Sequence, residues 1–206
     1  MDSLSAVLRA RALLDTLTPL KSDCGRLCDG ACCRGDDSTG MLLFPGEDAL
    51  YERCAFGRVL SAGFSLGGAP AQLFVCEGHC PRTERPLACR LFPLFLAFTK
   101  GGGTRVRMDT RAAAVCPLVS CGVQGLDAAF ADAVRQAYDA LLEDGTCAAY
   151  LHDLYRACRL GGKRKRGADA PALPPPTDHP PKQKKRLRRL LPAEVSLVMR
   201  VKKRYN

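Results

Sequence analysis

Apolar residues Leu4, Val7, Leu8, Leu13, Leu14 and Leu17 recur at close to the 3.6-residue helical period, which predicts a helix over 2–17 with these residues largely on one face. Ser3 is the expected N-cap, and Pro19 ends the segment. Residues 22–40 break the pattern: they are polar and rich in Gly and Cys, and read as an irregular ligand loop. Met41–Phe44 is a short strand candidate. Pro45-Gly46-Glu47-Asp48 then opens a helix to about Cys54, with acids in the first turn, where the helix dipole favours them. The glycines and proline of 57–70 predict a loop, and Gln72–Cys76 a buried strand. Phe92–Thr99 and Thr104–Asp109 flank Lys100-Gly101-Gly102-Gly103, the pattern of a β-hairpin. Leu126–Glu143 and Thr146–Arg159 carry helical periodicity and meet at Asp144-Gly145, which predicts an antiparallel helix pair.

These elements make an α+β domain over residues 1–160. Gly161-Gly162 marks the expected boundary. Beyond it lie Lys163-Arg164-Lys165-Arg166, Pro174-Pro175-Pro176, Pro180-Pro181 and the basic block Lys182–Arg189. Prolines and like charges oppose a packed core, so residues 161–206 are expected to be a disordered, Pro-rich basic tail. Val195–Val201 would order only on a partner.

Charge divides at the same place. The 206 residues carry a formal +10. Fourteen of the 31 Lys/Arg and three of the 21 Asp/Glu follow residue 160, so the tail holds +11 and the body −1. Non-specific attraction to nucleic acid therefore belongs to the tail. The longest uncharged apolar run, about Leu91–Phe98 but for Pro93, is far short of the roughly 20 residues that span a bilayer. Asp2, Arg9 and Arg11 interrupt what a secretory signal would need. The expected compartment is the cytoplasm.

All twelve cysteines lie in the body. In a reducing compartment, clustered cysteines more often hold metal than form disulfides. The first cluster is Cys24-x3-Cys28-x3-Cys32-Cys33; the second is Cys76-x3-Cys80 with Cys89; the third is Cys116-x4-Cys121. Zinc and iron–sulfur sites need about four converging thiolates, and short-spaced pairs bring them together at little entropic cost. Nine cysteines suffice for two four-ligand sites, or one cluster with spares. Thiolate is a soft donor, so Zn²⁺ or a [4Fe–4S] cluster is the expected cofactor. Cys54, Cys147 and Cys158 lack short-spaced partners and are expected to pack as small hydrophobes. Arg82, Arg85 and Arg90 are placed to offset thiolate charge and hydrogen-bond to sulfur. His79 is read as exposed or bonded to backbone.

A CC pair closing a run of spaced cysteines, then C-x3-C, then Arg85-Pro86-Leu87-Ala88-Cys89-Arg90 with Phe92-Pro93, resembles the YkgJ-type cysteine-cluster family, named for a zinc- or iron-chelating domain. The resemblance covers about residues 20–121 and is nearest to the longer subgroup with a GM-x-LFPGE segment, here Gly40–Glu47. The family usually has C-x2-C-x2-CC where this chain has x3 in both gaps. By resemblance, Cys24, Cys28, Cys32, Cys33, Cys76, Cys80 and Cys89 fall on its motif positions.

Three function classes follow. The first is a metal-binding module, zinc or iron–sulfur, with no assignable reaction. The second is an iron–sulfur-dependent enzyme of the flagellin lysine N-methylase type. Against it, the chain lacks the radical S-adenosylmethionine spacing C-x3-C-x2-C and has no GxGxxG after a strand. The third is a zinc-stabilised nucleic-acid-binding adaptor that uses the tail; only Tyr205 is aromatic there, which disfavours base stacking. The first requires only what the cysteines supply.

Overall fold

The computed structural model describes residues 2–33, 40–78 and 80–163. It is an α+β fold in which two small antiparallel sheets pack with an N-terminal helix and a C-terminal helix pair.

Helix α1 spans Ser3–Leu13, and its N-cap is Asp2 rather than Ser3. The Asp2 carboxylate accepts from Ser5 N at 2.8 Å and from Ser5 Oγ at 3.0 Å, and a carboxylate suits the positive end of the helix better than a hydroxyl. The buried stripe is also rotated from the expected one. Ala6, Val7, Ala10 and Leu14 are buried, whereas Leu8 is 45% exposed and Leu13 37%. Small side chains let α1 lie close against α4 (Ala128–Leu142), so Ala6 and Ala10 take the contact that the leucines were expected to make.

The first sheet has the order β1-β3-β2, with β1 at Met41–Leu42, β2 at Gly57–Leu66 and β3 at Ala69–Cys76. Met41 pairs with Phe74, and Gly57 with Cys76. The predicted loop over 57–70 is therefore a ten-residue strand and a turn. Its glycines fit the sheet. A Cβ on Gly57 would fall 2.5 Å from the Phe74 ring, and Gly63 (φ +78°) lies in the register shift between Ser61 and Ser65. The helix expected up to Cys54 is a single 3₁₀ segment, Glu47–Tyr51.

The second sheet is the expected hairpin, β4 (Leu94–Phe98) paired with β5 (Thr104–Met108) around the glycine turn. The helix pair is also present: α4, and α5 at Gly145–Lys163. Asp144 joins them, accepting from Cys147 N at 2.8 Å and Ser3 Oγ at 2.9 Å. The main core gathers Phe130, Leu141, Leu151 and Leu87 with the inner face of α1. A smaller cluster of Leu43, Tyr51, Phe56 and Phe74 lies against Cys54, Cys76 and Cys80. Helix α5 runs through Gly161-Gly162, and the rest of the expected tail lies outside the described residues. Among the described residues no helix is long and apolar enough to cross a membrane.

Candidate metal centre

Four segments bring the predicted cysteines together. The first cluster is not irregular: Cys24 precedes the helical turn α2 (Gly25–Cys28), and Ala31–Cys33 forms a 3₁₀ turn. Asp29 (φ 49°) and Gly30 (φ 64°) are both left-handed and reverse the chain between the two turns. Cys76 ends β3, and Gly78 (φ 99°) then directs the chain to Cys80. A Cβ on Gly78 would meet Cys33 O at 3.5 Å, so the first and second clusters adjoin here. Cys89 stands on the short helix α3 (Leu87–Leu91), with its N–H on Pro86 O at 3.0 Å. Cys116 N donates to Ala112 O at 2.8 Å, and Pro117 opens the 3₁₀ turn that ends at Cys121.

A hydrogen-bonded network around Glu47 holds α3 in place. Glu47 is fully buried and accepts from Leu87 N at 2.6 Å, Phe44 N at 3.1 Å and Arg11 Nη1 at 2.9 Å. Arg11 Nη1 also donates to Tyr51 Oη at 2.8 Å, and Tyr51 donates to Glu84 O at 2.8 Å. Burial raises the Glu47 pKa, against the hydrogen bonds from Leu87, Phe44 and Arg11. The GM-x-LFPGE segment thus positions the RPLACR segment through one carboxylate. From the sequence Glu47 is only a first-turn acid; its place directly after Pro-Gly in an apolar run is the signal of a buried role.

One set of thiols comprises Cys33, Cys76, Cys80 and Cys89. Burial raises the Cys89 pKa well above the ordinary value, and the charges of Cys80, Cys33, Glu47 and Cys76 add to it. Cys76 is raised by burial and by the charges of Cys80 and Cys33, against a hydrogen bond from the Gly78 amide. Arg85 faces this set. Burial lowers its pKa, but hydrogen bonding to Cys80 and the charges of Cys80, Cys33 and Cys89 leave it raised. Its Nε is buried with no hydrogen-bond partner among the described residues. The other two arginines of the segment do different work. Arg82 Nη2 donates to Leu17 O at 2.8 Å, and Arg90 clamps Asp15 at 2.6 Å, Thr83 O at 2.6 Å and Arg11 O at 3.2 Å.

A second set, Cys24, Cys28, Cys32 and Cys116, lines a narrow cavity of about 20 Å³. Cys32 Sγ and Cys33 Sγ lie 3.9 Å apart where the sets meet. The hydrogen bond with Cys32 lowers Cys33 to about 6, against burial and with help from Arg85, while the same bond raises Cys32. Cys121 is exposed, with Sγ 3.9 Å from Ser120 Oγ. All twelve cysteines are free. Cys147 and Cys158 pack with the main core, and burial with Asp144 pushes Cys147 up to about 12. Cys54 packs with the smaller cluster. His79 lies outside the described residues.

The donors are soft thiols, and the half-buried cation at Arg85 suits a site of net negative charge; the residue types fit zinc or an iron–sulfur cluster. Among the described residues, however, no group of three or more Cys, His, Asp or Glu side chains stands in an arrangement that could hold a metal ion. The thiols are neighbours without being drawn to bonding distance. No family model, curated protein or solved structure matches the chain.

Proposed function

We propose that the protein is a metal-binding cysteine-cluster module that holds zinc or an iron–sulfur cluster through thiolates. The observation that carries this reading is the convergence of Cys33 with Cys76, Cys80 and Cys89 beside Arg85, although the first and last lie 56 positions apart in the chain. Four thiolates on Zn²⁺, or on an oxidised [4Fe–4S] core, leave a formal charge of −2. Arg85 offsets part of it and offers a buried N–H with no other partner among the described residues. Bound metal would cross-link three chain segments, at Cys33, at Cys76 and Cys80, and at Cys89. The chain's own residues hold the thiols in register: Glu47 fixes α3, and the left-handed pair Asp29-Gly30 folds the first cluster back. A reducing compartment such as the cytoplasm would keep the thiols available. The resemblance to the YkgJ-type family points the same way, and no reaction is assigned.

A site assembled from distant segments exists only in the folded chain, so binding energy there is folding energy. Treating the metal-loaded protein with a chelator should lower its melting temperature. An unchanged melting temperature after verified metal removal would contradict the reading.

A further inference from the structure

The nine clustered cysteines do not all face one place. Cys24, Cys28, Cys32 and Cys116 line a cavity whose other walls include Phe92, Pro93 and Pro117. Among the described residues these four are its only thiols, and none of Cys33, Cys76, Cys80 or Cys89 borders it. We propose that Cys24, Cys28, Cys32 and Cys116 form a second metal site, distinct from the one beside Arg85, for a single soft divalent ion such as Zn²⁺. This inference rests on the metal-binding reading above.

Three features support it. The first is size: about 20 Å³ accommodates roughly one water-sized particle, so it suits one ion and not a four-iron cluster. The second is chemistry. Four soft donors between apolar walls favour zinc over hard cations, and a tetrahedral four-thiolate set is a closed structural zinc site. The third is local geometry at the vicinal pair. Cys32 and Cys33 lie in a 3₁₀ turn, where consecutive side chains diverge by roughly 120° about the axis. Cys32 borders the cavity and Cys33 does not, although Cys89 acts on both; Cys33 acts on Cys76 as well. Dividing the pair between two sites, Cys32 to the cavity and Cys33 to the set beside Arg85, leaves each with four thiols. Cys121 is the spare: Cys32 and Cys121 are both exposed, but only Cys32 borders the cavity. Closing the second site requires the thiols to rotate inward; Cys28 would release its long contact to Gly25 O (3.9 Å).

The test is anaerobic titration of metal-free, full-length protein with Zn²⁺ against a chromophoric chelator. Wild type should take up two equivalents. Cys116→Ser and Cys89→Ser should each retain one, and Cys121→Ser should retain two. Alkylation of zinc-loaded wild type, mapped by mass spectrometry, reads the same partition without any variant: Cys24, Cys28, Cys32 and Cys116 should be protected while Cys121 reacts. One equivalent in wild type, or free reaction of Cys24 and Cys116 in the zinc-loaded chain, would overturn the second site and leave the first standing. No zinc uptake by wild type would overturn the metal reading itself.

Discussion

Glu47 Oε1 accepts the Leu87 amide at 2.6 Å and so joins two segments 40 residues apart. The same carboxylate meets Arg11 on α1, and both side chains are buried. Glu47→Ala would leave Arg11 without its buried counter-charge and the first turn of α3 without its acceptor. We expect a loss of about 3 kcal/mol in denaturant unfolding. Metal affinity should fall as well, because α3 carries Cys89. A loss below about 1 kcal/mol would mean that α3 is held by packing alone.

Arg85 is the cation facing Cys33, Cys80 and Cys89. Arg85→Leu should weaken metal binding by about tenfold, a typical cost of losing a partner behind the ligands, and leave Arg85→Lys nearer wild type. Zinc competition assays on the three proteins provide the measurement. Equal affinity for all three would show that Arg85 plays no part in holding the charge of the site.

The hairpin and the helix pair were legible because long periodic runs and a glycine turn state their structure locally. Strand β2 was not, because Gly57 and Gly63 serve close approach and a bulge, needs set by Phe74 and by the register of β3 rather than by neighbours in sequence. The face of α1 was misjudged for a related reason: Leu8 looks more buried than Ala10 until the proximity of α4 is known. The nine cysteines were recognisable by spacing, but spacing runs along the chain. That Cys32, and not Cys33, borders a cavity with Cys116 depends on a turn that the sequence does not announce.

Asp144 sits at the start of α5 with its carboxylate on Cys147 N and Ser3 Oγ, and these bonds lower its pKa from 3.8. A lowered carboxyl adds stability above its unfolded value and loses it as pH falls through the folded one. The excess stability of wild type over Asp144→Ala should be about 1 kcal/mol at neutral pH and should shrink as pH drops below 3.8. Acid titration of both proteins by circular dichroism checks the sign; a gap that widened in acid would contradict it.

Cys147 is buried in the main core, and its polar neighbours are Asp144 and Ser3. Cys147→Ala should cost about 1 kcal/mol in packing and leave metal stoichiometry unchanged. Metal loss equal to that of Cys89→Ser would mean that the core and site cysteines are wrongly divided.

The +11 of residues 161–206 sets an expectation for nucleic acid. Retention of the full chain on heparin or DNA at low salt should fall steeply as salt rises, the signature of counterion release. Truncation after Lys163 should abolish that retention and leave the melting temperature almost unchanged. Equal retention by the truncated protein would locate the nucleic-acid surface on the cysteine domain.

Elemental analysis of anaerobically purified full-length protein, read with its ultraviolet–visible spectrum, tests the central claim most directly. The account predicts metal bound in stoichiometric amount. Zinc would come with a colourless protein, and iron with a brown one absorbing near about 400 nm, as thiolate-held clusters do. A folded, monodisperse protein with no bound metal and all twelve thiols free to titrate would contradict it.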